Sequence, residues 1–137
     1  MDVEKLVLFQ KAYDFLLWLY FLVQHLPKRH KPVLGKYLEE SAISLLLLII
    51  HANKASDRRR HRIQKEISDE LDLLRILIRL TKDLRFMSVK QYAFSAEKLN
   101  EMGKILYGWS NFQRNTARKN SPQKKPLANK VENLRLF

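Results

Sequence analysis

Helix-breaking residues are scarce in this chain, and its four prolines stand only at Pro27, Pro32, Pro122 and Pro126, outside every long periodic stretch. Three glycines, Gly35, Gly103 and Gly108, complete the set. Long tracts free of proline predict an all-α protein. A first helix is expected from about Val3 to His25, stopped by Pro27, and a second from about Val33 to Asn53, with Pro32 just ahead of its first turn. A third runs from about Asp57 to Leu84 and a fourth from Ser88, a suitable N-cap, to about Phe112. Such helices are each roughly 30–42 Å long. The three connections between them hold only a few residues, so neighbours must run antiparallel. An up-down-up-down four-helix bundle over residues 1–112 follows.

Apolar spacing agrees. Ile63, Ile67, Leu71, Leu74 and Ile78 make a one-face stripe, as do Tyr92, Ala96, Leu99, Met102 and Leu106. There is also an excess: Leu45 to Ile50 is uninterruptedly apolar, and most positions from Leu71 to Leu80 are apolar too. A bundle helix in a monomer needs only about three apolar positions in seven, so these helices are greasy on a second side. One such helix could be central and heavily buried, but helices 1, 2 and 3 all show the pattern and cannot all be central. Self-association is expected. The longest apolar run, Phe15 to Val23, is well short of the roughly twenty residues a membrane span needs, so no membrane partner is expected.

The 26 Lys and Arg outnumber the 14 Asp and Glu, leaving +12 over 137 residues. That surplus favours a polyanion such as nucleic acid, or an acidic surface. With no Cys there is no disulfide framework, thiolate nucleophile or cysteine-ligated zinc. Asp2 and Glu4 precede the first apolar run where a secretory signal would carry basic residues, so a cytoplasmic location is expected. Residues 113–137 carry seven bases, including Arg114, Arg118, Lys119, Lys124 and Lys125, against the single acid Glu132. This reads as a basic C-terminal tail, disordered when unbound.

The densest basic cluster is Arg58-Arg59-Arg60-His61-Arg62, followed by Lys65, at the start of helix 3. Arginines in a first turn oppose the partial positive charge of a helix N-terminus unless an anion joins them. A phosphate would meet backbone N–H groups and guanidinium forks together. A solvated helix end is the plainer alternative, but in an up-down bundle the helix 2–3 loop and the tail emerge at one end and add their fields. Farther along, Arg75, Arg79 and Lys82 share a helix face, with Arg85 just beyond. Pairing with Asp72, Asp83 and neighbouring acids competes there with phosphate contact. Lys28, Arg29 and Lys31 in the first loop are equally open to either reading. Trp18, Tyr20, Phe21, Tyr92 and Trp109 sit at periodic positions and read as core, so base stacking is not indicated. With no sequence-reading module, binding would be to backbone and shape, with a steep salt dependence.

Catalysis has little to work with. His25, His30, His51 and His61 are not at metal-ligand spacing, and none of the Glu residues has a His three positions later, as a di-metal bundle requires. No glycine-rich phosphate loop or nucleophile elbow occurs. Glu66, Asp69, Glu70 and Asp72 read as acids on an exposed face that balance local arginines, and His51 as a buried structural histidine. Neither enzymatic activity nor a metal or other cofactor is expected.

Several short motifs in order carry a family resemblance. They are Leu26-Pro27-Lys28-Arg29-His30, Leu34-Gly35 with Leu38-Glu39, Leu74-Arg75 through Arg79-Leu80-Thr81-Lys82-Asp83-Leu84-Arg85, Ser88 with Gln91-Tyr92, and Gly103 with Gly108-Trp109. Together, over about Leu6 to Trp109, the chain resembles the accessory variability determinant of diversity-generating retroelements. Proteins encoded in ribosomal RNA intervening sequences share the helical pattern, but their Asn-Ile-Ala-Glu-Gly signature is absent where this chain has His51-Ala52-Asn53-Lys54-Ala55. The resemblance implies a non-enzymatic partner of a reverse transcriptase, forming a barrel-shaped homopentamer of four-helix bundles that joins transcriptase and template RNA to make mutagenic cDNA. An unspecific RNA-binding bundle and a homo-oligomeric scaffold whose arginines pair across subunits are the alternatives. The basic extension after Trp109 departs from the family pattern.

Overall fold

The computed structural model describes residues 3–119. Four helices follow one another: α1 (Val3–Gln24), α2 (Lys36–Lys54), α3 (Asp57–Asp83) and α4 (Val89–Lys119). Helices α1 and α2, α2 and α3, α3 and α4, and α4 and α1 pack side by side, which places α1 and α3 at opposite corners of an all-α four-helix bundle. Specific contacts fix the antiparallel register of α1 and α4. Lys11 pairs with Glu101 at 3.3 Å. Seven residues further along α1, the ring of Trp18 meets Phe94, seven residues back along α4.

The core follows a seven-residue repeat. Leu8, Ala12, Phe15, Leu19, Leu22 and Leu26 are buried along α1 and just past its end, opposite Leu38, Ala42, Leu45, Ile49 and Ala52 of α2. From α3 come Ile67, Leu71, Leu74 and Ile78, and from α4 Leu99, Met102, Leu106 and Trp109. Alternating steps of three and four keep one seam inward on each helix, the packing pattern of left-handed bundles. Ser41 and Ser44 both donate to the Glu70 carboxylate, at 2.6 and 3.2 Å, tying α2 to α3. Glu70 thus holds two helices together and does not balance the arginines of its own.

Connections account for the helix ends. The α1–α2 link turns at Pro27, whose carbonyl accepts from His30 N–H at 2.8 Å, leaving Lys28 and Arg29 at the tip. Helix 2, expected from Val33, instead opens with a π-helical turn over Lys31–Gly35 that leads straight into α2. Gly35 is needed there for space, because a Cβ would stand 2.9 Å from Val23 Cγ1. At the start of α4, Ser88 Oγ accepts from Gln91 N–H at 3.0 Å and Gln91 Oε1 from Ser88 N–H at 2.9 Å. This reciprocal box satisfies two otherwise orphan donors, with Ser88 as the cap.

Helix α3 ends in a six-residue wrap: Phe86 N–H donates to Thr81 O at 3.0 Å and Arg85 N–H to Lys82 O at 2.8 Å. The wrap requires a left-handed residue, usually glycine, and Arg85 fills it at φ 67°. A side chain there costs roughly 1–2 kcal/mol.

Several expectations need correction. Helix α4 continues seven residues beyond Phe112, to Lys119, because Gln113 to Lys119 contains no Gly or Pro to stop it. The tail beyond, with Lys124 and Lys125, lies outside the described residues. Trp109 is buried, but Tyr20 and Phe21 are not core residues: Phe21 is 64% exposed. His51 is also exposed, since its neighbour Ile49 takes the inward position on α2. The membrane expectation is untouched by these findings: Lys5–Gln24 is long and apolar enough to cross a membrane by length and composition alone, a test that a core helix of a bundle also passes.

Candidate nucleic-acid interface

Two residues, Ala55 and Ser56, separate α2 from α3, and the first turn of α3 holds Asp57, Arg58, Arg59 and Arg60. The cluster divides by direction. Arg60 turns inward: its Nε donates to Ala52 O and its Nη2 to Ala55 O, both at 2.9 Å, with Asp57 Oδ1 at 3.7 Å. A guanidinium there closes the negative end of α2, which has run out of intrahelical donors. Arg58, Arg59, Arg62 and Lys65 turn outward, are exposed, and have no hydrogen bond or ion pair among the described residues. Arg58, Arg62 and Lys65 stand at i, i+4 and i+7 and so share a face, with Arg59 beside it. Ser56 precedes them as N-cap without a side-chain cap hydrogen bond. Arg58 and Arg59, in the first turn, oppose the positive end of the helix and its free N–H groups, and an anion there would be attracted by both, with Arg62 and Lys65 following along α3.

The second basic group on α3 is mostly committed. Arg75 Nη1 is 2.7 Å from Asp72 Oδ1 and its Nη2 donates to Leu99 O at 3.4 Å, leaving the side chain 10% exposed. It joins α3 to α4. Arg79 lies 3.8 Å from Asp83, and Lys82 sits 3.5 Å from Asp83 and 4.7 Å from the centre of the Tyr92 ring. Arg85 stands apart at the far end of α3, exposed and without a partner among the described residues.

The contact of Arg75 with Leu99 also sets the register of α3 against α4. Running antiparallel from it, Arg114 comes level with Arg60, and Arg118 and Lys119 continue past the first turn of α3. The α4 end and the Arg58–Lys65 cluster therefore occupy one end of the bundle. Arg85 lies at the other, about 40 Å away along the 27 residues of α3. Sequence reasoning missed what surrounds Arg85 there. The first loop and the α3–α4 turn meet, with His30 against Phe86 at 4.7 Å between ring centres. The same rule that paired the tail with the helix 2–3 loop applies to these two connections.

Among the described residues no group of three His, Cys, Asp or Glu could hold a metal ion. The fold thus defines an all-α four-helix bundle. The chain belongs to the bAvd-like family, whose profile matches residues 6–113, most of its length, and which is associated with non-catalytic accessory proteins. That membership is consistent with an accessory variability determinant of diversity-generating retroelements. No curated protein and no solved structure matches the chain.

Proposed function

We propose that the protein is a non-enzymatic accessory factor of a diversity-generating retroelement, acting in the cytoplasm, which holds reverse transcriptase and template RNA or cDNA through a basic surface during mutagenic cDNA synthesis. Family membership supports the retroelement setting. The observation that carries the binding role is the set of Arg58, Arg59, Arg62 and Lys65, exposed at a helix N-terminus with no partner among the described residues. Folding alone gives these side chains nothing to do. A phosphate backbone offers acceptors to the guanidinium groups and to the free N–H groups behind them, and its binding is driven by release of its condensed counterions. Such contacts position a strand without reading its sequence.

A homo-oligomer, a pentameric barrel by the family resemblance, fits the outward apolar side chains. Leu6, Tyr13, Leu17, Tyr20 and Phe21 are exposed along α1, and Leu73, Ile76, Leu80 and Leu84 along α3. These stripes lie at opposite corners. An α1 stripe of one copy against the α3 stripe of the next is a head-to-tail contact, which yields a ring when the rotation closes. Leu17→Glu with Phe21→Glu is expected to reduce the assembly to monomers, read as mass in solution. The test of binding is reversal of Arg58, Arg59, Arg62 and Lys65 to Glu, with co-purification of the transcriptase and template RNA and the yield of cDNA as readouts. All three are expected to collapse while helicity and oligomer mass persist. Unchanged co-purification and cDNA yield would refute the role.

A second reading, a scaffold that touches no nucleic acid, is favoured by the intramolecular commitments of Arg60 and Arg75. It predicts an assembly that carries no RNA at any salt concentration.

A further inference from the structure

The end of the bundle opposite the Arg58–Lys65 cluster is built from two connections that the sequence separates by more than fifty residues. The turn at Pro27 carries Lys28 and Arg29 at its tip, and Lys31 opens the π-helical turn that leads into Lys36. Arg85 occupies the α3–α4 turn, and Lys90 lies in the first turn of α4. His30 against Phe86, with Leu26, Leu34 and Met87 buried beneath, fastens the two connections together. Lys28, Arg29, Lys31, Lys36, Arg85 and Lys90 are all exposed, and their side chains have no hydrogen bond or ion pair among the described residues. The acids of this end are Glu39 and Glu40 on α2 and Asp83, which Arg79 and Lys82 already engage. Unpartnered cations are in clear excess.

Arg85 adds an independent sign. The helix-ending wrap prefers glycine at φ 67°, yet the chain keeps a long cationic side chain there that the fold does not use. Strain retained for a side chain with no hydrogen bond or ion pair among the described residues points to an external partner.

We propose that this end is a second contact surface for the phosphate backbone of a nucleic acid, so that one strand is gripped at both ends of the bundle. The inference rests on the nucleic-acid reading of the Arg58–Lys65 end and adds a separate site to it. Two weak electrostatic grips on one strand act as a bivalent clamp, with an affinity above that of either alone once the strand spans about 40 Å. A strand too short to span engages one end at a time.

The full-length protein is titrated with labelled single-stranded RNA of about eight and about thirty nucleotides, a range around the footprint of a single binding surface. Lys28, Arg29, Lys31 and Arg85 are changed together to Gln. The expected result is an affinity for the long strand about tenfold lower and a salt dependence shallower by roughly 3, with the short strand losing only about twofold. Arg85→Gly separates charge from fold: it is expected to raise Tm by a few degrees by relieving the left-handed residue while weakening the long strand, and Arg85→Lys restores binding. If the fourfold variant binds the long strand with wild-type affinity and salt dependence, the second surface is overturned. The first end stands in that case, provided changes at Arg58, Arg59, Arg62 and Lys65 still weaken binding. Wild-type protein that binds neither strand removes both. Polyglutamate binding more tightly than RNA, and lost in the fourfold variant, would assign this end to an acidic protein surface and overturn the proposal.

Discussion

Helix α3 carries two basic groups of similar size and opposite character. Its first three turns hold Arg58, Arg59, Arg62 and Lys65, which are exposed and whose side chains make no hydrogen bond or ion pair among the described residues. Its last three hold Arg75, Arg79 and Lys82, each beside an acid three or four residues away or next in sequence. The difference does not lie in the spacing of acids along α3, since Glu66 and Asp69 stand four residues beyond Arg62 and Lys65 as Asp83 does beyond Arg79, but in which pairs form and in what the neighbouring helix offers. Asp72 stands three residues before Arg75 and the α4 backbone faces it at Leu99, so that cation is absorbed into the fold. The only acid in the first turn, Asp57, stands beside Arg60, itself already taken by the end of α2. Net charge therefore overstates what is available to a partner, and the position of each charge decides it.

The contrast can be broken most forcefully at the outward group. Changing Arg58, Arg59, Arg62 and Lys65 to Gln is expected to make the salt dependence of nucleic-acid binding shallower by roughly 3 to 4, with no loss of helicity in circular dichroism. Arg75→Leu should do the reverse. It is expected to destabilise the fold by about 2 kcal/mol through the lost charged hydrogen bonds and the stranded Asp72, read in urea unfolding, while RNA affinity of the folded protein holds. Arg60→Ala should cost about 1 kcal/mol in the same measurement by uncovering the carbonyls of Ala52 and Ala55, and should leave the salt dependence alone. The smallest effect belongs to Arg79→Ala. Its contact with Asp83 is exposed, so a change below about 0.5 kcal/mol is expected.

Much of this architecture was legible in the residues themselves. Proline placement and short connections specify four antiparallel helices, and the cap at Ser88 follows from the serine and Gln91 three residues later. Side-chain direction was not legible at the ends. Arg58, Arg59, Arg60 and Arg62 look alike in sequence, and only the position of the α2 terminus separates Arg60 from the others. Tyr20 and Phe21 could not be assigned by periodicity, because α1 is apolar on nearly every side and no polar face marks the outside. Glu70 was misread for a related reason: the serines that bind it belong to another helix. The grouping of Arg85 with Lys28 and Arg29 needed the contact between His30 and Phe86, which joins segments distant along the chain.

The most direct measurement compares the salt dependence of RNA affinity across three proteins: wild type, the Gln variant at 58, 59, 62 and 65, and a Gln variant at 79 and 82. A shallower slope in the first variant, with the second close to wild type, is the predicted result. Equal slopes for the two variants, or a larger drop in the second, would contradict the claim that the outward, partnerless cations make the contact.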